Sequence, residues 1–316
     1  MKRIQHINLL ILFLAMITNW SCNRDEIFER EQYKTVLAIL SDDGFNIFSE
    51  EIKFKKEGGM SDGYIAASCG GALPTTTATE IHLIEDESLI TNYNSSNFDQ
   101  DVERYAHHLN PERYSIEEPI IHIPAGERNG RMKVKVNIDG LSPDSTYFIP
   151  LRVKNISAYE MNQKKGTVLF KVQLKNYYST TKSDTWYDHR GIMSGINTMV
   201  QKRVYPVAYN EVRTFAGIKA HETKESLFNR WSIRLIIDEE NNVTIRPWDT
   251  TAFGMKVKQL DGDPDYPNIF KIQDTGFKTY KTFLLHYEFV NPDDLKTYQI
   301  KEELRLEFNE RNEDND

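Results

Sequence analysis

The chain has 316 residues, with 39 Lys and Arg against 47 Asp and Glu, for a formal net charge of −8. That acidity, with no basic stripe anywhere, excludes a nucleic-acid binder, because phosphate is held by clustered Lys and Arg. Two cysteines exclude a disulfide scaffold, and the length suits two domains of about 140 residues each rather than one small core.

Lys2 and Arg3 precede nine apolar residues, Leu9 to Ile17. A bilayer crossing needs about 20, so residues 1–21 read as a signal peptide. Asn19-Trp20-Ser21-Cys22 resembles the lipobox of bacterial lipoproteins, although Asn19 and Trp20 depart from its usual residues. The resemblance implies acylation of Cys22 and attachment to a membrane. Removing residues 1–21 takes away Lys2 and Arg3 and no acid, so 37 bases face 47 acids and the net charge is −10. Residues 22–31 read as a charged, lipidated tether. Asp25 and Glu26, just after Cys22, resemble the surface-export signal of Bacteroidetes lipoproteins, which implies the outer membrane and its outward face. Cys69 then stands alone without a local base, as an apolar filler.

The hydrophobic period is mostly two, the mark of half-buried strands. Thr35–Leu40, Ile120–Ile123, Met132–Ile138, Thr146–Val153 and Val168–Leu174 come first. Trp231–Ile237 and Val243–Trp248 flank a polar turn and read as a hairpin. Thr282–Phe289 and Tyr298–Phe308 follow. Helical signal is poor; Asn97–Leu109 is its best candidate, with an irregular crossover loop as the alternative. The polar, aromatic stretch after Asn176 reads as irregular, which places a boundary there. The expected organisation is all-β: a first domain over 32–176, a second antiparallel β-rich domain (sandwich or barrel) over 177–309, and a disordered tail over 310–316.

Ordered motifs in the first half carry a resemblance. They are Ile90-Thr91-Asn92-Tyr93-Asn94, Tyr114-Ser115-Ile116, Ile123-Pro124-Ala125-Gly126, Leu141-Ser142-Pro143-Asp144 and Tyr147-Phe148-Ile149-Pro150-Leu151-Arg152-Val153. From Tyr33 to about Lys175 the chain resembles the N-terminal domain of two-domain Bacteroidetes lipoproteins, a domain of unknown function. Leu109-Asn110-Pro111 departs from the family, which puts Pro directly after Leu. Residues 177–309 resemble the companion C-terminal domain. The resemblance implies an immunoglobulin-like sandwich followed by a β-rich domain. It also implies encoding in polysaccharide-utilization loci, beside an outer-membrane importer, and a glycan-binding role similar to that of starch-utilization accessory proteins. A fold does not fix a function.

Chemistry in the residues themselves is sparse. Glu85-Asp86-Glu87 and Asp238-Glu239-Glu240 are the nearest carboxylate clusters, and both read as solvated turn charges. No nucleophile elbow, zinc-protease helix or phosphate loop is present. His82 and His122 read as outward strand residues, and adjacent His107 and His108 fit no metal spacing. Asp261-Gly262-Asp263-Pro264-Asp265 alternates oxygens as calcium sites do but lacks their sixth-position glycine, so it reads as a turn. No catalytic residue, metal or cofactor is expected.

Aromatics carry the positive signal, since sugar rings offer flat C–H faces to aromatic platforms. Trp186 with Tyr187 is the leading candidate, then Trp248, then Tyr177, Tyr178 and Tyr266. Trp231 reads as core. The sequence thus favours a non-catalytic surface lipoprotein that binds an oligo- or polysaccharide and assists its capture or import. A glycan-active hydrolase with a catalytic second domain and a purely structural or adhesive subunit remain the alternatives.

Overall fold

The computed structural model describes residues 34–71 and 73–309. The expected signal peptide, Cys22, the tether and the tail over 310–316 lie outside them. No helix among the described residues is long and apolar enough to cross a membrane.

Strand alternation in the first half builds eleven strands. They are β1 (Val36–Ile39), β2 (Ile47–Lys53), β3 (Met60–Gly70), β4 (Thr79–Glu85), β5 (His107–His108), β6 (Tyr114–Ser115), β7 (Ile120–Ile123), β8 (Asn129–Asn137), β9 (Tyr147–Ile156), β10 (Glu160–Met161) and β11 (Thr167–Lys175). They form one sheet in the order β10-β1-β3-β8-β7-β4-β9-β11-β2, with β5 on β9 and β6 on β8. The sheet folds over on itself, so Ile52, Ile65, Val134, Ile149 and Phe170 share one core. Gly63 permits the closure. A Cβ there would meet the Ile52 Cδ1 at 2.7 Å and the Phe170 ring at 3.2 Å.

Of the two readings of 97–109, the structure has the irregular connection and not the helix. Helix α1 spans Ser88–Phe98, and the chain beyond it makes a 3-10 turn at Val102–Arg104 and then β5. The α1 sequence is rich in Ser, Thr and Asn, poor helix formers that hide it from a propensity reading. Tertiary contacts hold it instead. Tyr93 meets Phe148, Phe45 and Phe98 edge-on at 5.0, 5.2 and 5.9 Å. Buried Asn94 bonds both the N–H and the carbonyl of Ala106, at 2.8 and 2.9 Å.

The second half adds β12 (Trp186–Met193), β13 (Ile196–Arg203), β14 (Tyr205–Ala208), β15 (Glu211–Phe215), helix α2 (Glu225–Trp231), β16 (Ser232–Ile237), β17 (Val243–Pro247), β18 (Val257–Gln259), β19 (Ile269–Asp274), β20 (Thr279–Val290) and β21 (Thr297–Phe308). A six-stranded sheet runs β13-β12-β21-β20-β18, with β19 also on β20, and a four-stranded sheet runs β14-β15-β16-β17. Tyr187, Phe215, Leu235, Phe283, Leu285 and Tyr287 fill the core between them. The chain is all-β with two domains. The expected hairpin is present, with Ile237 opposite Val243.

Two further expectations need correction. The stretch after Asn176 is not irregular throughout: from Trp186 on it is β12, whose inward residues are Tyr187 and His189, both fully buried. These side chains carry hydrogen-bonding groups, so a hydropathy reading misses the period-two pattern. Trp231 is core as expected, 9% exposed, but it closes α2 instead of opening a strand.

The core of the second domain contains charge. Glu302, Lys202, His189 and Tyr287 are all 0% exposed. Glu302 Oε2 accepts from Lys202 Nζ and His189 Nδ1, each at 2.8 Å, and Oε1 accepts from the Tyr287 hydroxyl at 2.9 Å. Tyr287 in turn accepts from the Gly217 N–H at 3.0 Å, and His189 Nε2 lies 3.0 Å from the Thr198 hydroxyl. Burial alone would push the Glu302 carboxyl up. The Lys202 ammonium and the His189 hydrogen bond outweigh it and hold the carboxyl at about 2.

Candidate functional site

Alternation on β12 turns Tyr187 and His189 inward and leaves Trp186, Asp188, Arg190 and Ile192 on the opposite face of the six-stranded sheet. Trp186 is half-buried, its ring edge-on to His221 at 5.4 Å. Asp188 accepts from the Gln201 amide across the strand pair at 2.9 Å. On the other side of β12, Asp188 stands opposite Arg305 and Arg190 opposite Glu303. The result is an exposed face with one tryptophan at its end and rows of amide, guanidinium and carboxylate groups beside it. That is the composition a hydroxyl-rich ligand with an apolar ring face requires.

Tyr266 borders the same face on the loop before β19. Burial pushes its hydroxyl up, and the Glu303 and Asp263 carboxylates add to the shift. The hydrogen bond from Lys301 holds the Asp263 carboxyl below its ordinary value, and Asp263 also accepts from the N–H groups of Asp265 and Tyr266, both at 3.0 Å. The 261–265 turn is therefore organised around Asp263. His82 and His122 both approach Glu80, at 3.1 and 3.8 Å. Among the described residues no group of three or more His, Cys, Asp or Glu side chains could hold a metal ion.

A ladder of cations and rings leads from Trp186 into the seam between the domains. Arg203, cross-strand to Trp186, stacks on Tyr205 at 4.6 Å. Arg213 covers the same ring at 4.3 Å and reaches Phe228 at 4.8 Å and Trp248 at 5.2 Å. Arg234 lies 5.5 Å from the Trp248 ring. Arg213 is fully buried, and its two terminal nitrogens grip both carboxylate oxygens of Asp144, from the first domain. Further ties cross the seam. Thr180 donates to Glu51 at 2.6 Å, and the Asn176 amide donates to the carbonyls of Ala208 and Glu211 at 2.7 and 3.0 Å.

The structure therefore divides the sequence candidates. Tyr187 is fully buried and Tyr178 is 9% exposed, so both are core. The Tyr187 hydroxyl donates to the Tyr178 carbonyl at 2.9 Å, and burial pushes the Tyr178 hydroxyl up to about 12. Trp248 is half-buried with two guanidinium groups over its ring, a packing role. Trp186 and Tyr266 share the exposed face. Tyr177 is 45% exposed and stands apart, with Lys281 Nζ 4.0 Å from its ring. Sequence reasoning missed Arg213 and Asp144, because a pair formed across two domains leaves no local pattern. It also missed Phe277, which is 98% exposed.

Two β-rich domains clamped along one seam define a two-domain all-β protein. A family model described as an N-terminal domain matches residues 33–160, and one described as a C-terminal domain matches residues 166–305. The chain belongs to the family of two-domain proteins that this pair of models describes. Solved structures share its fold. One is a multidomain protein including DUF1735 from Bacteroides ovatus, at 14% identity and a TM-score of 0.61, covering 86% of this chain and 94% of that one. Another is an auxiliary nutrient binding protein from Bacteroides thetaiotaomicron, at 16% identity and a TM-score of 0.58, covering 84% and 92%. A third, of unknown function, is from Bacteroides ovatus, at 15% identity and a TM-score of 0.53, covering 90% and 93%. No curated protein sequence matches the chain.

Proposed function

We propose that the chain is a non-catalytic surface lipoprotein that binds glycan through the exposed face of its six-stranded sheet and assists polysaccharide capture or uptake beside an outer-membrane importer. The observation that carries this reading is half-buried Trp186 at the end of a face that also presents Asp188, Arg190 and Gln201. A half-buried ring is held in place by its neighbours and still offers a surface, which is how aromatic side chains give binding energy at low entropic cost. The description of one similar fold as an auxiliary nutrient binding protein supports the reading.

A glycan array on the chain lacking residues 1–21, with product analysis of every hit, tests it. Trp186→Ala is expected to weaken the bound glycan at least about tenfold, the factor that about 1.4 kcal/mol carries, while Trp186→Phe keeps most of the affinity. A wild-type chain that binds nothing on a broad array would end the proposal and favour the structural reading. A hit that is cleaved would favour the hydrolase.

Anchoring is proposed through Cys22. One acyl chain binds a membrane only marginally, and two anchor it stably. Cys22→Ala is expected to leave the protein unprocessed or to release it from membranes, and added protease should degrade the wild-type protein on intact cells. Full membrane retention of a processed Cys22→Ala chain, or protection matching that of a periplasmic control, contradicts this.

A further inference from the structure

The turn between β19 and β20 is closed by its own polar groups. Gly276 takes a positive φ of 80°, and its N–H donates to Asp274 Oδ1 at 2.7 Å. The Thr275 N–H and hydroxyl both donate to the Lys278 carbonyl, at 3.0 and 2.9 Å. None of these bonds needs the side chain of Phe277, which nonetheless stands 98% exposed. A single exposed apolar residue is ordinary on a protein surface. This one stands at a cavity of about 440 Å³, whose other walls are Asp274, Lys278, Thr279, Glu307, Phe308 and Asn309. That volume falls within the roughly 300–1,000 Å³ of small-ligand sites.

The walls indicate the chemistry of the ligand. Lys278 pairs with Glu307 at 2.6 Å, and their hydrogen bond raises the lysine. Their charges cancel, and Asp274 leaves the cavity slightly negative. An anionic ligand is therefore disfavoured. A neutral ring with an apolar face for Phe277 and hydroxyls for Asp274, Thr279 and Glu307 fits. Phe308 is fixed as a wall because Lys281 Nζ lies 4.9 Å from its ring and 4.0 Å from that of Tyr177.

The position of the cavity connects it to Trp186. Strand β12 begins at Trp186, β21 ends at Phe308 and β20 begins at Thr279, and these antiparallel strands are consecutive neighbours. Asp188 pairs with Arg305 and Thr279 with Phe308, so Trp186 and the Phe277 turn occupy the same end of the sheet. Neighbouring strands lie about 4.8 Å apart, which puts the two aromatics roughly 10–15 Å apart laterally. We infer that Phe277 and its cavity form a second saccharide subsite, level with Trp186, and that a run of neutral sugar residues in one chain occupies both. The inference rests on the glycan-binding reading of Trp186 and gives that site its ligand class: an internal segment of a neutral polymer rather than a single sugar or an acidic one.

The test uses linear oligosaccharides of glucose, mannose, galactose, xylose and N-acetylglucosamine, from one to eight units, with polygalacturonate as the anionic probe. The wild-type chain should bind a neutral series with affinity that rises with length. Phe277→Ala should flatten that rise, weakening the longest oligomer at least about tenfold, and Phe277→Tyr should restore it. The melting temperature should not move, since the side chain is exposed and apart from the bonds of the turn. Length-dependent binding that Trp186→Ala abolishes and Phe277→Ala leaves intact overturns this inference and spares the first proposal. Polygalacturonate bound more tightly than every neutral series overturns the ligand class. A wild-type chain that binds none of the probes overturns both proposals.

Discussion

Glu302→Ala is expected to cost about 3–5 kcal/mol, the penalty for breaking a buried charge pair and leaving its partner behind. The variant strands the Lys202 ammonium and removes the acceptor of His189 and Tyr287, all of them fully buried. Domains hold only about 5–15 kcal/mol in total, so much of the protein should fail to fold at growth temperature. Glu302→Gln keeps the shape and one acceptor and should lose less. Denaturant midpoints at constant slope measure both. An alanine variant within about 0.5 kcal/mol of wild type, the range of ordinary surface substitutions, would show that the tetrad contributes little.

The same group sets an acid limit. The folded Glu302 carboxyl sits at about 2, against an ordinary 4.5. Its folded value is depressed, so the unfolded chain takes up the proton first as pH falls. The stabilisation is complete above about 4.5 and is lost progressively toward 2. Unfolding free energy followed from pH 6 to pH 3 should fall in the wild type, and the fall should be shallower in Glu302→Gln. Equal slopes would assign the acid sensitivity to other carboxylates.

The strands were legible because Met132, Val134 and Val136, or Phe283, Leu285 and Tyr287, put apolar groups in one frame of the alternation. Where the inward frame holds polar side chains, the signal fails: Tyr187 and His189 hid β12, and Ser, Thr and Asn hid α1. Their packing is supplied by residues distant in sequence, such as Phe148 and Ala106. Lys202 and Glu302 did leave a trace. Glu302 interrupts Tyr298, Ile300, Leu304 and Leu306 in the inward frame of β21, and a charge in that frame signals a buried partner. Phe277 left one too, as a bulky apolar residue in a glycine turn where polar residues are usual. Composition flagged Trp186 and Tyr187 together, although adjacent strand residues face opposite ways, so no more than one of them could line a surface.

Asp144→Ala is expected to loosen one domain from the other at a similar cost, about 3–5 kcal/mol. Arg213 is 0% exposed, its Nε lacks a hydrogen-bond partner, and its charge is otherwise met by ring faces, with Tyr205 the nearest at 4.3 Å. Cation–π contacts contribute about 0.5–2 kcal/mol each and cannot replace a bidentate carboxylate. Asp144 closes the Leu141-Ser142-Pro143-Asp144 motif, which gives that motif a physical purpose: it presents an anion to the second domain. Removing the carboxylate should split one thermal transition into two and speed proteolysis between Lys175 and Trp186. It should also lower glycan affinity indirectly, because the ladder through Tyr205 and Arg203 ends beside Trp186. Arg213→Met combined with Asp144→Ala should recover stability relative to Asp144→Ala alone, since it removes the buried charge that Asp144→Ala leaves unpaired. The double-mutant cycle isolates the coupling. A single unshifted transition in Asp144→Ala would mean that the seam is held by its other contacts, those of Asn176 and Glu51, and that the arginine clamp is dispensable.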